Sequence, residues 1–175
     1  MKSRISAPNS SSRGSRGKFS TVSGSTPAPA RAARRSSSRA CSRAPNIRVL
    51  APDSLESLPA RAYDGILVDA PCTGLGTLRR SPHLKWTTTP VAIRDAAEAQ
   101  LAILNAAVPK LKPGGHLIYA TCSVTREENE GVVGRFLEQN PGFATVCQRA
   151  ILPSEHDTDA YFTATFRLRM ERLGG

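Results

Sequence analysis

Two thiols, Cys72 and Cys122, each lie in a run of residues equipped for chemistry. The first run, DAPCTGLGTLRRSPHLKW at 69–86, joins an acid, a rigid proline, a thiol, two loop glycines, paired arginines and a Lys-Trp. In the second, ATCSVTREENE at 120–130, the thiol follows apolar residues and precedes a predicted helix. A thiol near a helix N-terminus, or beside a cation, has a lowered pKa and becomes a usable nucleophile. The ordinary alternative for a cysteine is a small buried hydrophobe. That is the reading for Cys41 and Cys147, which stand in no such run. Arg79, Arg80 and Lys85 are candidates to hold nucleic-acid phosphates, and Trp86 to stack on a base, against the ordinary readings of exposed loop cations and a packing indole. His83, His116 and His156 lack metal-ligand spacing, so no metal centre is expected.

The two thiols are 50 positions apart (122 minus 72), so strand ends must bring them together. YDGILVDAP holds an apolar, β-branched run bounded by Asp64-Gly65 and Pro71, which predicts a strand buried on both faces. Pro90 opens a helix predicted to reach about Leu111, with Ile93, Ala97, Leu101, Leu104 and Val108 on one face. Lys112-Pro113-Gly114-Gly115 is expected to end it, and HLIYATCS to form the next buried strand. A second helix is predicted from Glu127 to Gln139, with Val132, Val133, Phe136 and Leu137 inward. FATVC and YFTATFRLRM read as two closing strands; Phe162, Ala164, Phe166 and Leu168 alternate with Thr163, Thr165 and Arg167. NIRVL is a further short strand with Asp53 beyond its end. This pattern predicts an α/β sheet with a late antiparallel edge. Ligands of such sheets lie beyond the carboxyl ends of the parallel strands, where Asp53, Asp69 and Cys122 all fall.

Charge divides the chain in two. Residues 1–45 carry ten Lys or Arg and no acid, leaving 14 basic (24 minus 10) and 14 acidic residues to 46–175. The formal charge of +10 therefore belongs to the N-terminal segment, and the rest is neutral. That segment is rich in Ser, Arg, Ala, Pro and Gly and poor in large apolar side chains. It is expected to be a disordered basic tail, either an RNA-binding arm or a misassigned start of a GC-rich gene. No stretch reaches the ~18 apolar residues of a membrane span, and no secretory run is present. The expectation is a soluble cytoplasmic protein whose four cysteines stay reduced.

Taken together, DAPCTGLG and TCSVTREENE resemble the Fmu/Sun branch of the Nol1/Nop2/Sun family of RNA 5-methylcytosine methyltransferases. The resemblance covers roughly 46–170, including the KPGG turn and the closing DTDAYFTATFRLR. It implies a Rossmann-like class I methyltransferase sheet, of which 46–175 would be the C-terminal half, and S-adenosylmethionine as cofactor. It implies Cys122 as the nucleophile that adds to carbon 6 of cytosine, and Cys72 as the group that assists removal of the carbon 5 proton. Asp69 would hydrogen-bond the N3 and amino edge of the base. Asp53 would contact the cofactor adenine, with Asp69 beside the cofactor and Pro71 lining both cofactor and base. Arg79, Arg80 and Lys85 would face RNA, and the resemblance implies that this RNA is ribosomal.

The resemblance also leaves a gap. The family's glycine-rich cofactor loop has no match in 1–45, where Ser15-Arg16-Gly17-Lys18 lacks a preceding apolar strand. The chain therefore reads as a fragment with an unpaired sheet edge and negligible turnover on its own. Two other readings stand beside it: a non-catalytic RNA-binding remnant, and a DNA cytosine-5 methyltransferase. The second thiol, Cys122 in the TCS run, favours RNA over DNA.

Overall fold

The computed structural model describes residues 19–23, 47–50 and 54–169. Six strands form one sheet: β1 Phe19–Ser23, β2 Ile47–Leu50, β3 Tyr63–Asp69, β4 Leu111–Thr121, β5 Phe143–Ile151 and β6 Tyr161–Leu168. Their order is β2-β1-β3-β4-β6-β5. The first four run parallel; β6 is antiparallel to both β4 and β5. The expected α/β sheet with an antiparallel closing edge is what forms.

Side-chain periodicity explains the core. Along β6, Phe162, Ala164 and Phe166 are buried while Tyr161 and Arg167 are exposed, as strict alternation requires. Strands β3 and β4 supply Ile66, Val68, Leu117 and Tyr119. Helix α1 is the single turn Leu84–Thr87, and α2 spans Pro90–Ala107. The Thr89 hydroxyl accepts a hydrogen bond from the Ala92 N–H at 3.2 Å, and Pro90 occupies the first turn, so the start of α2 has its orphan donors addressed. Ala97, Leu101 and Leu104 face the core. Helix α3, Glu130–Gln139, lies beside α2 and packs Phe136 against Phe143 and Phe166, with ring centroids 5.2 and 4.9 Å apart. Arg135 bridges to Glu98 across the two helices with two bonds of 2.7 Å.

Helix α2 ends at Ala107 rather than near Leu111, because a 3-10 turn at Val108–Lys110 leads straight into β4 at Leu111. Three further boundaries differ from the sequence reading. Phe19–Ser23 lies within the segment read as a disordered tail, yet it pairs with both β2 and β3. Strand pairing uses backbone groups, so five residues with Phe, Thr and Val beside the open edge of β3 are enough. That edge is consequently covered. The other residues of 1–45 lie outside the described ones, as do Asp53 and Cys41. The second difference is at KPGG, which lies inside β4. Tyr63 pairs with Leu111 and Gly65 with His116, so the segment bulges from the ladder, with Gly114 at φ 78°. The third is the start of α3 at Glu130 rather than 127. Glu128 and Asn129 turn their side chains inward instead, for the reason given next.

Candidate active site

The loops after β3 and β4 carry the two thiols. Asp69 ends β3, level with Ser23 of β1 and Ala120 of β4, and Thr121 ends β4. From these ends Cys72 and Cys122 meet, Sγ to Sγ, at 3.2 Å. Both are half-buried. One thiol can donate to the other as a thiolate, which stabilises the anion on the acceptor. Hydrogen bonding from Cys72 holds Cys122 down to about 7, against burial and the charges of Asp69 and Glu128. Cys72 is pushed well above the ordinary thiol range, first by its hydrogen bond with Cys122 and then by burial. Cys122 is therefore the more acidic thiol of the pair, and Cys72 the one that keeps its proton.

This asymmetry has a measurable consequence. Alkylation of Cys122 by iodoacetamide, followed on its own peptide by mass spectrometry, is expected to rise with a midpoint near pH 7. In Cys72→Ala the donor is gone, and burial with the charges of Asp69 and Glu128 outweighs the backbone hydrogen bond that still favours the anion, so the midpoint moves to or above the ordinary value of 9.0. The sign follows because the anion is the favoured form only while Cys72 donates to it. An unmoved midpoint would show that the hydrogen bond is not the cause.

A carboxylate that the sequence reading passed over binds the two loops together. Glu128 is fully buried. Its Oε1 accepts from the Thr73 N–H at 2.8 Å and from Gln100 Nε2 at 3.1 Å. Its Oε2 accepts from the hydroxyls of Thr73 at 2.6 Å, Ser123 at 2.5 Å and Thr125 at 2.8 Å. Thr73 and Ser123 are the residues directly after the two cysteines. One carboxylate thus fixes the spacing of both thiol-bearing backbones. Gln100 donates also to the Pro71 carbonyl at 2.9 Å and accepts from the buried Tyr119 hydroxyl at 2.8 Å. Asn129 completes the set: it accepts from Thr121 at 2.7 Å and donates to the Ser123 carbonyl at 3.0 Å. With Glu128 and Asn129 so engaged, α3 begins one residue later. TREENE reads in sequence as a solvated charge run, and only the amphipathic position of Gln100 among Ala97, Leu101 and Leu104 hinted at a buried polar partner.

A backbone stitch holds the other side. The Gly76 N–H donates to the Cys122 carbonyl at 2.8 Å, and the Ala160 N–H donates to the Gly76 carbonyl at 2.9 Å. The 157–159 segment is tied to the same loop by ion pairs, Arg79 to Asp157 and Arg80 to Asp159. Asp159 is buried, whereas Arg80 remains partly open to solvent. Lys85 lies over the ring of Trp86, 5.2 Å from its centroid, and Trp86 is 81% exposed. Leu84 of the same short helix stands next to Gly74, at the rim of the Cys72 loop.

The candidate residues from sequence therefore divide as follows. Cys72, Cys122 and Asp69 come together, Asp69 close enough for its charge to act on Cys122. Pro71 contributes its carbonyl to the Gln100 amide. Arg79, Arg80 and Lys85 stand along the rim, two of them engaged by carboxylates. Among the described residues no cluster of three or more His, Cys, Asp or Glu is arranged to hold a metal ion, and no helix is long and apolar enough to cross a membrane. A groove of about 230 Å³, lined by Arg61, Val108, Leu111 and Leu168 among others, opens at the other end of β3 and β4, away from the thiols.

Solved structures share this fold. NSun6 from Pyrococcus horikoshii, solved with SFG, is 30% identical and superposes with a TM-score of 0.60 over 71% of this chain and 35% of its own. A methyltransferase homolog protein from the same organism is 28% identical, with a TM-score of 0.56 over 76% and 49%. The fold is thus that of a Rossmann-like methyltransferase, and the family in question uses S-adenosylmethionine. The chain belongs to the RsmB/F family of 16S rRNA methyltransferases, whose model matches residues 41–167.

Curated relatives agree. Ribosomal RNA small subunit methyltransferase B of Vibrio cholerae is 44% identical over 108 residues, 58% of this chain and 25% of that protein. The probable counterpart in Bacillus subtilis is 43% identical over 88 residues, 50% and 20%. The chain spans about a quarter of the length of the curated relatives it matches.

Proposed function

We propose that this chain carries the catalytic thiols of an S-adenosylmethionine-dependent cytosine-5 methyltransferase acting on ribosomal RNA in the cytoplasm. The observation that carries this reading is the thiol pair at 3.2 Å, with Cys122 held as the more acidic member. Carbon 5 of cytosine is a weak nucleophile. Addition of the Cys122 thiolate to carbon 6 converts the ring into an enamine whose carbon 5 is reactive. Asp69 is assigned the N3 and amino edge of the base, where it stabilises charge developing in the ring. Bound S-adenosylmethionine supplies the methyl group, and Asp69, Pro71 and Asp53 are the residues assigned to hold it. Asp69 and Pro71 lie at the carboxyl end of β3, where such sheets take ligands; Asp53 is outside the described residues.

Cys72, which gives up its own proton to solvent once Cys122 is bonded to carbon 6, then accepts the carbon 5 proton as a thiolate; the carbon 6–sulfur bond breaks, and Cys122 leaves as thiolate. The hydrogen-bond geometry supports this order of events. Before attack, Cys122 keeps Cys72 protonated through their shared bond and its own charge. Once bonded to carbon 6, the Cys122 sulfur is a neutral thioether, so both influences lapse when a base is needed. Lys85 and the exposed Trp86 form a basic and aromatic rim suited to an RNA strand. Beside them, Arg79 and Arg80 are paired to Asp157 and Asp159 and are assigned to phosphates that would compete for those pairs. We read the chain as the catalytic segment of a longer enzyme, with methyl transfer by the chain alone expected to be negligible.

The test separates addition from methyl transfer. RNA containing 5-azacytosine takes up a thiolate at carbon 6 without needing a methyl donor. A covalent complex stable on a denaturing gel is expected with the native chain and should vanish in Cys122→Ala. Cys72→Ala should still form it, though more slowly because Cys122 is then less acidic. Position 5 of this base is a nitrogen, so release by loss of a carbon 5 proton does not enter. Retention of the adduct in Cys122→Ala, or adducts with DNA but none with RNA, would overturn the reading.

A further inference from the structure

We propose that Cys72 and Cys122 form a reversible intramolecular disulfide, making the thiol pair a redox modification site as well as a catalytic one. Three observations carry this. The sulfurs are 3.2 Å apart, and a disulfide bond of about 2.05 Å requires them to close by roughly 1.2 Å. Both cysteines stand just past the strand ends, outside the ladder hydrogen bonds, so side-chain rotation can supply that movement. The residues after them, Thr73 and Ser123, are held to one Glu128 oxygen, at 2.6 and 2.5 Å. That clamp keeps the two backbones at a fixed spacing whatever the oxidation state, so ring closure costs little further ordering. Cys147 is exposed and has no such partner among the described residues.

The oxidant required is a peroxide, and the chemistry balances with it. The Cys122 thiolate attacks a peroxide oxygen, the O–O bond breaks, and the departing hydroxide leaves a sulfenic acid on Cys122. Cys72 next attacks that sulfur through its own, its proton passing to the departing oxygen, which leaves as water. The sum is two thiols and one hydrogen peroxide giving one disulfide and two waters. Cys122 has the acidity suited to the first step, and the neighbouring Cys72 intercepts the sulfenic acid before further oxidation. Disulfide formation removes the nucleophile, and reduction restores it; this consequence rests on the function proposed above, whereas the bond itself does not.

The experiment uses the full chain, without RNA or cofactor. After brief exposure to hydrogen peroxide and blocking of free thiols, trypsin digestion is expected to link the peptide ending at Arg79 to the one ending at Arg126. The linked species should lose two hydrogen masses and separate on dithiothreitol treatment. In Cys72→Ala, dimedone should instead capture a sulfenic acid at Cys122. Sulfinic or sulfonic acid at Cys122 with Cys72 still free, or links made mainly to Cys41 or Cys147, would overturn the proposal. A second arm repeats the 5-azacytosine adduct assay on oxidised and reduced chain. Loss of the adduct on oxidation and its return on reduction supports the switch. If the reduced chain forms no adduct, the function fails while the mapped disulfide still stands.

Discussion

Replacing Glu128 with alanine is expected to lower the unfolding free energy by about 3–5 kcal/mol, judged from what removal of a buried charged acceptor costs its donors. Five donors converge on this carboxylate, and hydrogen bonds to a charged group are each worth about 1.5–3 kcal/mol, though not additively. Recovering the desolvation of the buried charge offsets part of the loss. What remains unpaired after substitution is the Thr73 N–H, the Gln100 amide and three hydroxyls, in a site closed to water. Against a stability of about 5–15 kcal/mol for an ordinary domain, that is a large fraction.

Glu128→Gln provides the discriminating comparison. Its carbonyl can face the Thr73 N–H and Gln100, while its amide donates to the hydroxyls, which can reverse to become acceptors. The loss should therefore be smaller, about 1–2 kcal/mol. Urea unfolding of the three proteins measures this, read as midpoint shifts at constant slope. Equal losses for alanine and glutamine would mean that the charge, not the hydrogen-bond count, is what matters. Midpoints unchanged in both would remove Glu128 from the structural account.

Gly76→Ala is the second large effect, and it falls on chemistry more than on stability. A Cβ at this position would stand 2.4 Å from the Ala160 carbonyl oxygen and 2.7 Å from that of Cys122. Both are backbone atoms, so neither can swing aside as a side chain would. The loop, the Cys122 turn and the 160 segment must separate, stretching the two hydrogen bonds that join them. Overpacking of this kind costs about 1–3 kcal/mol. Misplacing a reacting group by about 1 Å costs on the order of 100-fold in rate, so adduct formation by Cys122 should fall by about that factor. Gly134→Ala in α3 is the control, since nothing lies within 4 Å of its added Cβ. It should leave adduct formation unchanged and add a few tenths of a kcal/mol or more through helix propensity. Comparable adduct rates in the two variants would refute the steric account of Gly76.

Much of this protein was legible in its sequence, and the legible part has one physical basis. Hydrophobic periodicity is a local property, so YDGILVD, HLIYAT and YFTATFRL declared themselves as β3, part of β4 and β6, and the Ala97–Leu101–Leu104 face declared α2. Strand ends follow from strands, which is why Asp69, Cys72 and Cys122 could be placed beside one another in advance. The residue types then indicated thiol chemistry, and the family resemblance indicated which base and which cofactor.

Tertiary structure decided what depends on partners distant in sequence. Glu128 belongs to a charged run that any local reading leaves in water; it is buried because Thr73, 55 positions away, and Gln100, 28 away, aim their donors at one point. Arg79 and Arg80 read as free cations until Asp157 and Asp159 arrive from the far end of the chain. Phe19–Ser23 carries too little apolar character to announce a strand, yet the open edge of β3 recruits its backbone. KPGG carries the residues of a turn, and it is absorbed into β4 as a bulge because Leu111 already pairs with Tyr63. In each case the deciding energy is a hydrogen bond or a charge pair closed across the fold, which no window of neighbouring residues contains.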